Sequence, residues 1–351
     1  MAILLTPGPC PVPSFVAEAI AMPVMPHRTA GFEAFFGEMK EGLRYLFQTE
    51  AHVCGMMGSG TMGVEAAMYS LFKEGDAVLV PDFGKFSRRW VDYGKLMGLN
   101  LSTLTKKWGE EPSVVEFLEK AQNIPDLKGV VLTHCETSTG VAIDLEEMAF
   151  VLRRALPEVL LLVDAVSSVG AIPFYFDAWD LDCAVVASQK ALMNPAGTVY
   201  VAFSERGRRA VRQTHPSDGR NLWNYLDFAD RNSFPYTPPV QLFYGIMAAL
   251  GHIRGAGLPA VWNRTHSSAK TFREMLLKAG GVIFGTGTGE SLTAFSIPGT
   301  EAGDLRAQLK EKGFLLSGGQ GELKGKILRV SHMGPVCGVE AMIRLRAAIH
   351  T

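Results

Sequence analysis

Val159-Leu160-Leu161-Leu162-Val163-Asp164 is an apolar run that ends on a carboxylate, and Val185-Val186-Ala187-Ser188-Gln189-Lys190 is an apolar run that ends on a lysine. Short runs without polar alternation mark strands buried on both faces, the pattern of a parallel sheet. Working outward, residues 77–80 and 129–132 are further runs of this kind, 183–187 is the core of the second one above, and 52–57 is a strand candidate leading into Gly58-Ser59-Gly60-Thr61. Helical spacing fills the gaps at about 61–72, 86–97, 113–121 and 145–156. Strand and helix in alternation imply an α/β fold with a mostly parallel sheet covered by helices on both sides, and ligands at the carboxyl ends of the strands.

Upstream, residues 31–49 place Phe32, Phe35, Phe36, Met39, Leu43, Leu46 and Phe47 on one helical face. Downstream of Phe234 the pattern changes. A proline-containing turn leads to a long helical region over 240–279, then short strands near Val282 and at 292–297, 314–316 and 327–330, with helices at 303–311 and 339–349. Strands mixed with fewer helices suggest a smaller α+β domain.

Composition excludes several functions. With 34 basic against 35 acidic residues and no basic run, nucleic acid is not an expected partner. The longest apolar stretches are far too short to cross a bilayer, so no membrane association is expected and the chain reads as soluble and cytoplasmic. Five scattered cysteines with no C-x-x-C pair suggest neither a disulfide framework nor a zinc site. His134, Cys135 and Glu136 are metal-capable, but neighbours on a strand face opposite ways and cannot converge on one ion, so no metal is expected.

Three features remain that carry chemistry. Gly58-Ser59-Gly60-Thr61 opens a helix, where free amides and the positive dipole end suit a phosphate, although a plain helix cap is an equal alternative for this turn alone. Asp164 at a strand exit needs a partner to offset desolvation. Lysine is seldom placed for packing where Lys190 stands. A phosphate cradle, an acid and a lysine on one sheet edge suit a cofactor with a phosphate, a pyridinium nitrogen and an aldehyde, the three handles of pyridoxal phosphate. A dinucleotide site would need a Gly-rich turn in a first βαβ unit with an acid about twenty residues on, an arrangement this sequence does not offer, and Gly285, Gly287 and Gly289 follow a late strand with no helix after it.

The chain resembles a class V aminotransferase of pyridoxal-phosphate fold type I, near the alanine–glyoxylate and serine–glyoxylate branch. The matching motifs include Thr6-Pro7-Gly8-Pro9, Gly58-Ser59-Gly60-Thr61, the run Thr133-His134-Cys135-Glu136-Thr137-Ser138-Thr139-Gly140, Asp164-Ala165-Val166, Ser188-Gln189-Lys190, Pro235-Tyr236-Thr237-Pro238 and Lys326-Ile327-Leu328-Arg329-Val330. The resemblance implies a seven-stranded, mostly parallel sheet covered by helices, plus a smaller α+β C-terminal domain. It implies an N-terminal segment (1–20) associated with the small domain, a large cofactor-binding domain (21–238) and a small domain (239–351).

It further implies that Lys190 carries pyridoxal 5'-phosphate as a Schiff base and Asp164 faces the pyridine nitrogen. Ser59, Gly60 and Thr61 hold the phosphate with Gln189 close by, Phe86 stacks on the ring where relatives commonly have tryptophan, Val166 packs beneath it, and Thr137 touches the ring oxygen. Thr237 reaches the phosphate of a neighbouring subunit in a homodimer. Phe234 stands where some relatives have a tyrosine, with Tyr236 as the substitute. Arg329 grips the substrate carboxylate, its planar fork suiting bidentate pairing, and Gly8 and the 318–321 loop border the pocket.

The implied reaction is ping-pong transfer of an amino group from a small amino acid (alanine or serine) to a 2-oxo acid such as glyoxylate or pyruvate. Rivals are 2-aminoethylphosphonate transamination, with Arg28 or Arg220 as the extra cation, and a cysteine-desulfurase-like lyase, against which Gln189 stands where such enzymes have histidine and Cys337 lies after the arginine strand.

Overall fold

The computed structural model describes residues 2–213, 218–287 and 289–350. Its central sheet has seven strands in the order His52–Gly58, Gly197–Phe203, Cys183–Ala187, Leu160–Asp164, Leu127–Thr133, Ala77–Asp82, Asn100–Thr105. All pairings are parallel except those of Gly197–Phe203, which runs antiparallel to both neighbours. The expected α/β architecture is therefore present. The strands 160–164 and 183–187 lie side by side, with Asp164 paired to Val185, so the acid and the lysine leave the sheet next to each other.

Each expected helix of this region forms, at Ala30–Phe47, Gly60–Leu71, Lys85–Leu96, Val114–Gln122 and Leu145–Ala155. Their apolar faces and the sheet share one core, to which Phe32, Phe36, Trp90, Leu162 and Val186 belong, all at most 1% exposed. The 60–71 helix starts where it does because Ser59 caps it, Oγ accepting from Met62 N at 3.3 Å.

The region expected to be one helical stretch over 240–279 is two helices, Val240–Ala256 and Leu258–Lys278. Gly257 adopts φ +80°, and Pro259 in the first turn of the second helix has no N–H to continue the first. A four-stranded sheet of Val282–Ile283, Leu292–Ser296, Leu328–Ser331 and Ser317–Gly318 follows, with helices Ala302–Glu311 and Val339–His350. It has a separate core around Phe272, Phe295, Leu309 and Leu345.

The N-terminal strand Ile3–Leu4 pairs in parallel with Phe314–Leu315. Leu5 N donates to Leu315 O and Ser331 N to Leu5 O, at 2.9 and 2.8 Å. These bonds lace the start of the chain to the sheet that bears Arg329. Among the described residues, no helix is long and apolar enough to cross a membrane.

Candidate active site

The carboxyl ends of the central strands surround a cavity of about 270 Å³. Ser59, Gly60 and Thr61 form one wall, and Asp164, Val166, Gln189 and Lys190 form the floor and opposite wall. Phe86, Thr137 and Gly8 also line it, with Pro9, Trp90 and Ala196. Ten residues singled out in the sequence thus meet in one place, although they span positions 8 to 190.

Lys190 and Asp164 are 7% and 6% exposed. Burial lowers the lysine's pKa below its usual range, and the nearby Arg329 charge pushes the same way against Asp164. Burial raises Asp164 to about 7, opposed by the Val166 N–H, which donates to Oδ1 at 3.1 Å, and by Lys190. Burial thus drives both groups toward their neutral forms.

Lys190 Nζ donates to Pro7 O at 2.5 Å. Gly8 passes so close that a Cβ there would stand 2.5 Å from Nζ, and its φ of +149° is one that other residues rarely adopt. On the other wall, a Cβ on Gly60 would stand 2.9 Å from the Val166 side chain and 3.2 Å from Ala187. Glycine here lets the helix start approach the floor. With Met62 N taken by Ser59 Oγ, the amides of Gly60 and Thr61 are the first-turn donors without an acceptor among the described residues.

Arg329 stands behind the cavity wall. It is 4% exposed, and its Nη1 donates to Thr137 O at 2.8 Å while Nε and Nη2 donate to Gly318 O at 3.0 and 2.8 Å. Three of its five N–H groups are spent on fixing the fork, leaving two for a ligand. Burial lowers its pKa to about 10, with Glu136 opposing, so it keeps its charge near neutral pH. Thr137 in turn bonds Ser167 through their hydroxyls at 2.6 Å.

Glu136, given no role by the sequence beyond its place in a motif and as a rejected metal donor, is fully buried and accepts four hydrogen bonds. Oε2 takes Phe86 N and Ser87 N at 2.9 Å each, and Oε1 takes Ser138 N and Oγ at 3.0 and 2.7 Å. It fixes the N-terminus of the 85–96 helix and so aims Phe86 at the cavity. Phe86 is half-buried and lines the cavity rather than filling the core. Trp90 and Arg89 on the same helix also escaped the sequence reading. Trp90 lines the cavity and donates to Thr133 Oγ1 at 3.2 Å, and Arg89 Nη1 donates to Thr61 Oγ1.

Other expected residues do not join this cavity. Thr237 is exposed and lines no wall of it. Phe234 packs among Phe36, Tyr225 and Phe243, and the half-buried Tyr236 has a hydroxyl without a hydrogen-bond partner among the described residues. Arg28 is exposed, and Arg220 pairs with Asp218 over the Tyr69 ring. The 318–321 loop touches Arg329 through Gly318 but lines a separate cavity of about 440 Å³ with Lys85, Arg306 and Lys324. Cys337 is fully buried, its thiol pushed well up by burial. That is unlike a nucleophile on an open loop.

Similarity to known proteins runs along almost the whole chain. The family model described as Aminotransferase class-V matches residues 18–339. The soluble hydrogenase 42 kDa subunit of Anabaena cylindrica is 35% identical over 95% of this chain and 88% of its own length. The L-aspartate–glyoxylate aminotransferase of Paracoccus denitrificans is 32% identical over 98% of this chain and 89% of its own. The crystal structure of an alanine–glyoxylate aminotransferase from Nostoc sp. superimposes with a TM-score of 0.92 at 30% identity, covering 99% of this chain and 94% of that one. The protein belongs to the class V aminotransferase family and is an aminotransferase that uses pyridoxal 5'-phosphate.

Proposed function

We propose that this enzyme moves an amino group from a small amino acid, alanine or serine, to a 2-oxo acid such as glyoxylate or pyruvate, with Lys190 as the cofactor's attachment point. The observation that carries this reading is the meeting of Lys190, Asp164 and the 59–61 helix start in one cavity. The residues fit the cofactor. Gly60 leaves the space a side chain would fill, the helix start offers N–H donors for a phosphate, and Asp164 supplies an acid for the ring nitrogen. Phe86 and Val166 supply apolar surface for the ring's two faces, and Thr137 and Gln189 supply polar groups at its rim.

Bound pyridoxal phosphate supplies an aldehyde carbon that takes up the amino group and a ring that accepts electron density from the substrate's Cα. The chain supplies the rest. Arg329 turns its two unspent N–H groups to the donor's carboxylate and so orients the Cα–H bond. Lys190, whose pKa burial lowers, takes and returns the Cα proton at Nζ. Asp164, stabilised as a carboxylate once a cation faces it, holds a proton at the ring nitrogen.

A second donor class, an amino acid with a distal anionic group, is favoured by one observation. Beyond the Gly318 peptide that Arg329 grips, Lys85, Arg306 and Lys324 line a cavity with no acidic residue. An aspartate or an aminoethylphosphonate donor has such a group, and the Paracoccus relative is named for aspartate.

We also infer a cytoplasmic homodimer. Thr237 lies away from its own chain's cavity, free to complete a partner's phosphate site, and Met57 and Met62 are exposed beside the helix start. All five cysteines are free, as in a reducing compartment.

Hydride reduction followed by peptide mass analysis tests the core of the reading. The cofactor's mass is expected on Lys190, and Lys190→Ala is expected to lose the visible absorbance and to cut turnover by about 10⁴ or more. A variant with near-parent activity would refute it. Screening alanine, serine, aspartate and aminoethylphosphonate against glyoxylate and pyruvate then separates the donor classes.

A further inference from the structure

The phosphate wall of the cavity is short of positive charge. A phosphate monoester carries about −1.5 to −2 near neutral pH, and a helix N-terminus offers roughly half a unit of positive charge. Among the described residues lining the cavity, Lys190 is the only cationic side chain, and its amine is needed at the other end.

Arg89 stands directly behind that wall. From the 85–96 helix its Nη1 donates to Thr61 Oγ1, and its Cζ lies 5.2 Å from the centre of the Phe86 ring. Thr61 and Phe86 both line the cavity. The adjacent Arg88 is committed to Asp82 in an ion pair of 2.5 Å. No ion pair links Arg89 to a carboxylate among the described residues, and the carboxyl it acts on electrostatically, Glu65, is itself pushed toward neutrality by partial burial.

A hydroxyl has one proton to give and lone pairs that accept. With Arg89 donating to Thr61 Oγ1, the threonine's own proton is left for an acceptor on the cavity side. We propose that Arg89 is the cationic half of the phosphate site, a positioning residue that acts through Thr61. The ligand group it serves is a phosphate monoester dianion. This inference rests on the placement of the phosphate at residues 59–61.

The test compares binding of pyridoxal phosphate with that of pyridoxal, which lacks the phosphate, to cofactor-stripped full-length protein. Spectroscopic titration gives both dissociation constants, and their ratio isolates the phosphate's contribution. In Arg89→Ala the ratio is expected to fall about tenfold or more, with pyridoxal affinity unchanged. Arg89→Lys is expected to recover part of it, and the ³¹P resonance of the bound cofactor to shift in Arg89→Ala and less in Arg89→Lys. Thr61→Val is expected to lower the ratio too, and the double variant to be little worse than either single one.

A parent-like ratio in Arg89→Ala, or equal loss of both ligands in Arg89→Ala and Arg89→Lys alike, overturns the proposal. Thr61→Val and Ser59→Ala separate the two possible failures. If they lower the ratio while Arg89→Ala does not, only the role of Arg89 fails. If they too leave it unchanged, the phosphate lies elsewhere and the reading of the 59–61 turn fails with it.

Discussion

The two ends of the cavity handle charge in opposite ways. At the Lys190 end both ionisable groups are nearly sealed from water, and burial drives the amine and the carboxyl toward neutrality. At the other end Ser59 is exposed and Thr61 half-buried, the donors are amides and hydroxyls, and the cation sits one residue back. Chemistry that depends on where a single proton resides has the dry end, where one neighbouring charge changes a pKa strongly. On the function proposed above, anchoring falls to the wetter end, where several modest contacts add up. Single substitutions at the dry end should therefore be severe, and those at the wet end graded.

The largest effect to probe this contrast is that of Asp164→Asn, which keeps shape and removes the charge. It is expected to lower kcat by about 10²–10³ while the phosphate end still retains the cofactor. Rapid kinetics on the reconstituted variant checks this, and simple loss of cofactor binding would show that the two ends are not separable. Arg329→Lys keeps a charge but loses the fork. Because charged hydrogen bonds are involved, kcat/KM for the donor is expected to fall roughly 10- to 100-fold, with the change chiefly in KM.

A smaller effect concerns the cofactor-free protein. Asp164 is raised from its usual 3.8 to about 7, so its contribution to folding stability is fully present below about pH 4 and is lost as the pH rises through 7. Thermal unfolding from pH 4 to pH 8 should show cofactor-free Asp164→Asn gaining several degrees on the parent protein across that window. A pH-independent difference would mean that the carboxyl is solvated and the end is not dry.

What the sequence made readable follows the same physics. Asp164 and Lys190 stand out because an ionisable residue closing an apolar run has few structural uses, and the runs themselves locate five of the seven sheet strands. Asn100–Thr105 escaped because it is a half-buried edge strand with a polar composition, NLSTLT. Gly197–Phe203 escaped although it is apolar, and its reversed direction leaves no mark, since a strand buried on both faces has the same composition whichever way it runs.

Arg329 was legible only through its motif, because one arginine in a short strand is otherwise unremarkable. Arg89 was not legible at all. Beside Arg88 on a polar helix face it reads as a solvated charge, and only the fold brings it to Thr61, twenty-eight positions earlier. Glu136 belongs with it: its four hydrogen bonds run to backbone and hydroxyl groups as far as fifty residues away.

The lacing of the first residues has a mechanical corollary. Leu5 is bonded to Leu315 on one side and to Ser331 on the other, Ser331 is two residues beyond Arg329, and Pro7, two residues beyond Leu5, receives the Lys190 amine. A short, hydrogen-bonded segment therefore runs from the strand that bears Arg329 to the carbonyl that faces the Lys190 amine. On the proposed role of Arg329, any movement of its strand as a substrate's acid group docks would be carried along this segment to the carbonyl that accepts from the lysine.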